Sequence, residues 1–261
     1  MTEGLALTLI ALGFAGAFVS GLVGVGGAIV MIPLLYYTPP LLGVGGLDIK
    51  HVAGVTMVQV LAASAVGAWT HGRRAPLDRR LVLSGGTAMA AGSLIGAVAS
   101  RYVSPRLLLA IFAAMTTVAL PLMLIRPAEF PDAGAGPPIP HGRAAAAAWS
   151  GLIGLASGLV GAGGAFLLVP VLMAIVRLPV RLAIGTSLAM TCAAAATGFL
   201  GKAVTAQVPL APAIAVAAGS LAGALAGAHL SHRAPVAVLR LVLAGLIALV
   251  TLRVWADVLM G

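Results

Sequence analysis

Long, unbroken apolar stretches dominate the chain. In the first half they fall at about 4–36, 50–71, 80–101 and 105–125, and in the second at about 144–176, 181–200, 210–230 and 234–256. A helix needs roughly 20 apolar residues to cross the hydrocarbon core of a membrane, and most of these stretches have that length. A membrane-spanning strand would instead alternate apolar and polar residues over about ten positions. The pattern therefore predicts an all-α, polytopic membrane protein.

A polar segment separates the two groups of apolar stretches. Residues 126–143 have the sequence RPAEFPDAGAGPPIPHGR, in which prolines and glycines alternate with two acids. Such a composition does not continue a helix and does not suit a lipid environment. It predicts an extramembrane linker between a first transmembrane repeat at 1–125 and a second at 144–261.

The two halves are copies of each other. GLVGVGGAIVMIPLL from Gly21 matches GLVGAGGAFLLVPVL from Gly158. Two further matches follow in the same order: Thr56 with Thr186, and GSLIGA at 92–97 with GSLAGA at 219–224. Three collinear matches indicate an internal duplication. Duplicated halves in a polytopic helical protein are typical of secondary transporters.

The first stretch of each half is too long for one straight span. Residues 4–36 would form a helix of about 50 Å, whereas the hydrocarbon core is roughly 30 Å thick. The glycine cluster in the middle is where the helix would break, giving either one broken or tilted span or a hairpin that turns at the glycines. The distribution of Lys and Arg over the loops favours the hairpin, with both termini outside. A hairpin also makes the second half enter the membrane upside down, so we expect inverted repeats.

Composition and charge narrow the class further. The chain is 61% apolar and 8% charged, with Lys+Arg 15 against Asp+Glu 6, which excludes an ordinary soluble or disordered protein. The basic residues are spread over short loops without an aromatic-interleaved face, so they indicate membrane orientation and no nucleic-acid partner. All six acids lie at segment ends or in loops. A cation carrier commonly needs a carboxylate within the membrane, so this placement favours an anion.

The repeated glycines are the first candidates for substrate binding. A helix that begins just after them would direct unpaired N–H groups and a positive dipole end at the break, which suits an anion. The alternative is that small residues only allow helices to pack closely. The candidate residues of this group are Gly24, Gly26, Gly27, Gly161, Gly163 and Gly164.

Polar residues within the apolar stretches form a second group. Hydroxyls recur at equivalent repeat positions, and one amide has no polar counterpart: the set is Ser20, Ser157, Thr56, Thr186, Ser187 and Gln59. Hydroxyls often bond back to their own helix, which is the alternative for most of them. His51 and Arg181 open equivalent spans and can attract anions, as can Lys202, although snorkelling to the interface is the commoner reason for such residues.

Other chemistry finds little support. His229 and His232 have no acidic or Cys neighbour, and no nucleophile–base arrangement or nucleotide-binding fingerprint is present. The sequence predicts neither an enzyme nor a metal or cofactor site.

The paired GLVGVGG…P and GLVGAGG…P segments, each followed by a Thr-containing span and a GSLxGA span, resemble the TauE/SafE family of membrane transporters, the sulfite exporter group. The resemblance covers essentially the whole chain. It implies a carrier for a small sulfur-containing anion such as sulfite, thiosulfate or an organosulfonate. With the duplicated halves, we expect such a carrier to lie in the bacterial inner membrane and to work by alternating access. A Thr-Ser pair often opens the following span in this family. The second half has it as Thr186-Ser187, whereas the first half has Thr56-Met57.

Two other functions stay open for the sequence, namely a carrier of a different solute and a non-transporting membrane assembly protein.

Overall fold

The computed structural model describes residues 3–23, 27–72, 77–124, 140–173, 178, 180–230 and 236–260. Within these residues the chain forms ten α-helices and no strand. The first half contains α1 Glu3–Val23, α2 Ala28–Leu41, α3 Ile49–Gly72, α4 Arg79–Ala99 and α5 Pro105–Leu124. The second half contains α6 Pro140–Val160, α7 Ala165–Val171, α8 Val180–Val204, α9 Leu210–Leu230 and α10 Val236–Met260.

Six helices of the described part are long and apolar enough to cross a membrane, namely α1, α3, α4, α5, α8 and α9. This confirms the prediction of an all-α, polytopic membrane protein. The structure begins α6 at Pro140, so the last residues of the 126–143 segment form its first turn. Residues 126–139, the remainder of the expected linker, lie outside the described residues, as does residue 125.

The long first stretch of the chain folds back as a hairpin. Gly4 lies next to Val44, Gly16 next to Met31, and Gly27 next to Ser20. Residues later in α1 therefore contact residues that come progressively earlier in the chain after the break. This order of contacts means that α1 and α2 run antiparallel. The same occurs in the second half, where Gly164 lies against Ser157 and Ile153 of α6. Of the two arrangements that the sequence left open, the structure has the hairpin.

The two halves are interleaved. Helix α1, the first of its half, packs against α9, the fourth of the other half, and α6 packs against α4 in the same way. The equivalent helices α3 and α8 pack against each other, as do α5 and α10. If the two halves are exchanged, the contact of α1 with α9 becomes the contact of α6 with α4. The α3–α8 and α5–α10 contacts stay the same. The described core depends on both repeats together.

Glycines allow the backbones of α1 and α9, and those of α4 and α6, to come into direct contact. A Cβ at Gly96 of α4 would overlap the Leu155 carbonyl of α6, and one at Gly223 of α9 would overlap the Phe14 carbonyl of α1. The GSLxGA repeats therefore serve helix packing. The first glycine of each cluster also serves helix packing. Gly21 lies against the backbone of α9, and Gly158 lies against the backbone of α4.

The contacts also give the helix directions. Along α3 and α8, Met57 lies by Gly198 and Gly67 lies by Leu188, so these two equivalent helices run antiparallel. Along α1 and α9, contacts advance in the same direction, from Gly219 near Ile10 to Gly227 near Phe18. Helices α4 and α6 also run parallel.

Candidate substrate site at the glycine breaks

The second glycine break has a backbone that favours glycine. Gly161, Gly163 and Gly164 have φ values of 85°, 64° and 77°. A side chain in this left-handed region is unfavourable, whereas glycine enters it freely. All three residues are buried. The sequence therefore specifies a sharp reversal between α6 and α7.

This break lies close to the middle of the helix bundle. A Cβ at Gly163 would overlap Val60 of α3 and would lie 3.3 Å from Thr191 Cγ2 of α8. A Cβ at Gly164 would lie 2.8 Å from Met89 Cε of α4. Val60, Met89 and Thr191 are each near the midpoint of a membrane-spanning helix. The reversal thus extends from Ala53, near the start of α3, to mid-depth, where the discontinuous helices of transporters also break.

The described part of the first break has the same local geometry. Gly27 caps α2 with φ 61° and ψ −7°, and Gly164 caps α7 with φ 77° and ψ −2°. The Gly27 carbonyl accepts from the N–H groups of Val30 and Met31 at 3.2 and 3.0 Å. The N–H groups before these in the first turn have no acceptor within the helix. Both helices therefore present backbone donors at their glycine caps.

Buried polar side chains stand beside the second break without partners. Thr56 Oγ1 and Thr191 Oγ1 are buried and make no hydrogen bond within the described structure. Thr56 shares a face of α3 with Ala53 and Val60, because the spacings are three and four residues. Since Ala53 contacts Gly161 and Val60 contacts Gly163, Thr56 lies on the face of α3 that covers the break.

Gln59 is fully buried near the midpoint of α3. It lies one turn after Thr56 and one turn before Ala63, and Ala63 lines a gap of about 10 Å³ together with Ser20 and Gly21 of α1. Both polar atoms of the buried Gln59 amide lack a partner in the described structure. The amide can therefore donate and accept further hydrogen bonds inside the protein.

The two repeated serines shape the breaks. Ser20 is buried, with its Cβ and Oγ against Gly27. Ser157 is also buried; its Oγ donates to the Gly154 carbonyl at 3.0 Å. Its own carbonyl accepts from the N–H groups of Gly161 and Ala162 at 2.8 and 2.9 Å. The serine positions thus hold the ends of α1 and α6 where the chain reverses.

Thr186 and Ser187 are buried in α8 and already have partners. The Thr186 hydroxyl accepts from the Asp78 N–H at 3.5 Å, next to the start of α4. The Ser187 hydroxyl donates to the Ile184 carbonyl at 2.9 Å, within its own helix. The structure thus places this pair near the start of α4, and Thr191, one turn further along α8, is the residue that reaches the second break.

The remaining predicted residues lie elsewhere or outside the described part. The His51 N–H donates to Asp48 Oδ1 at 2.7 Å, and its ring Nδ1 lies 3.4 Å from Asp48 Oδ2. Both side chains are partly exposed, so His51 belongs to the capped start of α3 and is not brought to the break. Gly24 and Gly26 lie outside the described residues, as does the side chain of Arg181 in the first turn of α8.

Comparison with known proteins identifies the family. The family model described as "Sulfite exporter TauE/SafE" matches residues 9–254, which include both glycine breaks. The chain belongs to the sulfite exporter TauE/SafE family. It is also similar to a "Probable membrane transporter protein" of Xylella fastidiosa (strain 9a5c), with 31% identity over 172 residues. This alignment covers 66% of the chain and 64% of the relative's length. No solved structure gives a significant match.

Membership of the TauE/SafE family confirms the resemblance that the paired glycine motifs indicated. The matched region begins within α1 and ends within α10, so both repeats lie inside the family unit. The family assignment thus applies to the interleaved fold as a whole.

Lys202 is the residue whose position in this TauE/SafE protein differs most from the sequence interpretation. Snorkelling would leave its ammonium at the interface, yet none of its side chain is exposed. Its Nζ donates to Ser100 Oγ at 2.9 Å and to the Leu159 carbonyl at 3.2 Å. The interfacial interpretation of Lys202 is therefore wrong. The only sequence signal for it is a lysine placed among apolar residues near a helix end.

Proposed function

We propose that this TauE/SafE protein is a membrane transporter that carries a small sulfur-containing anion by alternating access. The observation that carries the proposal is the group of buried, unpartnered polar side chains beside the mid-depth glycine break, namely Thr56, Gln59 and Thr191. A buried polar atom without a partner costs about 1–3 kcal/mol. Such groups need a reason to persist, and binding of a polar solute supplies one.

The donors around the break suit an oxyanion. Hydroxyls and the amide NH₂ group donate hydrogen bonds, and at the first break the glycine-capped α2 adds backbone N–H groups and the positive end of its dipole. These oriented donors replace the water that a sulfite, thiosulfate or sulfonate group loses on entering the membrane. The description of the family, which names sulfite export, supports the same class of solute.

The two halves supply the parts of the proposed mechanism. Their equivalent helices α3 and α8 run antiparallel, and each half packs its first helix against the fourth helix of the other half. This supports inverted repeats that rock around a central site. By repeat equivalence with Gly161 and Gly163, we include Gly24 and Gly26 in that site, with Ser20, Ser157, Thr186 and Ser187 around it. His51 and Arg181 then attract anions at span starts.

We place the protein in the bacterial inner membrane, with the basic loop at 71–80 in the cytoplasm, as the distribution of positive charge favours. The partners in this proposal are the anion and the surrounding lipid.

Flux measurements on proteoliposomes test the proposal. Purified protein should carry labelled sulfite, thiosulfate or taurine across the membrane, and Gly163→Ala should reduce this flux to the level of empty liposomes. The reason is that its Cβ would overlap Val60 in a backbone conformation that alanine rarely adopts.

Gly245→Ala is the matched control, because a Cβ at Gly245 meets nothing within 4 Å. It should leave flux unchanged. Absence of anion flux through folded wild-type protein would refute anion transport. Normal flux in folded Gly163→Ala would show that the break does not carry the substrate.

A further inference from the structure

Lys202 forms a buried polar cluster near the end of α8. Its Nζ lies 2.9 Å from Ser100 Oγ, 3.2 Å from the Leu159 carbonyl and 3.5 Å from Gln207 Oε1. Two of these oxygens, the carbonyl and the amide oxygen, can only accept, so the arrangement matches the three N–H donors of an ammonium group. Ser100 Oγ donates in turn to Gln207 Oε1 at 2.9 Å.

This ammonium has hydrogen-bond partners but no countercharge within the described part of the chain. Its three contacts are neutral, and the described ion pairs of acids join Asp48 to His51 and Asp257 to Arg253. A second lysine lies close by, because Lys50 Nζ donates to the carbonyl of Arg101, the residue after Ser100. A buried lysine without a carboxylate is expensive, and such charges often belong to functional sites.

The cluster adjoins the second glycine break. The Leu159 carbonyl that Lys202 bonds belongs to the last turn of α6, two residues before Gly161. On the other side, the Gln207 carbonyl packs directly against Gly54, and the preceding residue of α3 packs against Gly161. Lys202 therefore stands at one end of the reversal that Thr56 and Thr191 flank.

The first half has no lysine at the position equivalent to Lys202. At the repeat offset that aligns Thr56 with Thr186, Lys202 corresponds to Gly72, which His71 and Arg73 flank, and Gln207 corresponds to Leu77. The duplication therefore does not explain the cluster. A feature that one repeat alone carries points to a role in the solute pathway of that end.

We propose that the buried Lys202 side chain supplies the positive charge that selects anions at the second glycine break. It acts as a specificity-determining residue through its field, while Ser100, Leu159 and Gln207 hold it in place. Rings and clusters of Lys or Arg select anions in other membrane pathways for the same reason. This inference rests on the proposed transport of an anion.

The test compares solutes of different charge. Uptake of thiosulfate (charge −2), methanesulfonate (−1) and taurine (net 0) is measured in proteoliposomes with wild type and Lys202→Gln. A unit charge roughly 10 Å away at an effective dielectric constant near 20 changes binding by about tenfold, and the effect scales with the solute's charge. KM should therefore rise about tenfold for methanesulfonate and about a hundredfold for thiosulfate, while taurine is little affected. Lys202→Arg, which keeps the charge, should preserve the ratio of the two anion KM values.

Lys50→Gln is the matched control, because it removes the same charge from a more exposed neighbour where solvent screens it. Its KM values should change less than those of Lys202→Gln, and at high salt they should equal those of wild type.

If Lys202→Gln does not fold, Lys202→Met replaces it, since the apolar side chain removes charge and donors together. Equal KM changes for all three solutes, or none, would overturn the inference while leaving anion transport intact. No flux of any anion through wild type would overturn the proposed function itself.

Discussion

At the scale of single residues, two buried threonines show opposite hydrogen bonding. Thr251 Oγ1 donates to the Ile247 carbonyl four residues earlier at 2.7 Å, which is the usual solution for a hydroxyl inside a helix. Thr56 is even more deeply buried in α3, yet its hydroxyl has no partner in the described structure. The difference identifies Thr56 as a residue that serves something other than its own helix.

Replacing Thr56 with valine should separate stability from transport. The change keeps the shape and removes an unpartnered polar atom, so we expect the free energy of unfolding to stay the same or to rise by up to about 1–3 kcal/mol. Loss of a hydrogen bond to a charged solute should lower kcat/KM for thiosulfate by at least about tenfold. Thermal melting in detergent and liposome uptake measure the two effects.

Thr251→Val provides the matched comparison. It removes a satisfied hydrogen bond, so its free energy of unfolding should fall by about 1 kcal/mol while uptake per folded molecule stays at the wild-type level. If Thr56→Val instead lost stability and transported normally, its hydroxyl would have a structural role.

At the scale of elements, the repeated glycines divide into two functions that the sequence alone does not separate. Gly27 and Gly164 adopt left-handed backbone conformations and reverse the chain. Gly96 and Gly223 lie inside straight helices and bring α4 to α6 and α9 to α1. Both kinds stand in repeated motifs, so only the backbone conformation and the neighbours distinguish a break from a contact.

Gly96→Ala should weaken the contact between α4 and α6 without affecting the break. Its Cβ would overlap the Leu155 carbonyl, so the helices must separate. We expect the free energy of unfolding to fall by about 1–3 kcal/mol, with uptake per folded molecule retained. Gly245→Ala, which meets open space, should be neutral or slightly stabilising. A melting temperature of Gly96→Ala equal to that of Gly245→Ala would contradict the close packing.

At the scale of the whole molecule, the sequence predicts what depends on local pattern. The apolar stretches locate the helices, because length and hydropathy are local properties, and comparison of the two halves reveals the duplication. The pairing of α1 with α9 is not local, because it depends on which glycine faces meet across the two halves. The burial of Lys202 likewise depends on Ser100 and Gln207, which the fold brings to it from another helix and from a loop. The hairpin stayed one of two models for the same reason.

The interleaved packing predicts that neither half is stable alone. The contacts of α1 with α9 and of α4 with α6 join the repeats, so a first half without the second exposes the glycine-lined faces of α1 and α4. When the chain is divided within residues 126–139, the two fragments should co-purify through a tag on one of them, melt as one unit and restore uptake. Either fragment expressed alone should yield no monodisperse, cooperatively melting species.

Gly96→Ala in the first fragment should reduce the amount of complex recovered, because it weakens a contact that forms only when the two fragments associate. Cooperative melting of an isolated half would show instead that each repeat is a self-sufficient unit, and the shared site between them would then need another explanation.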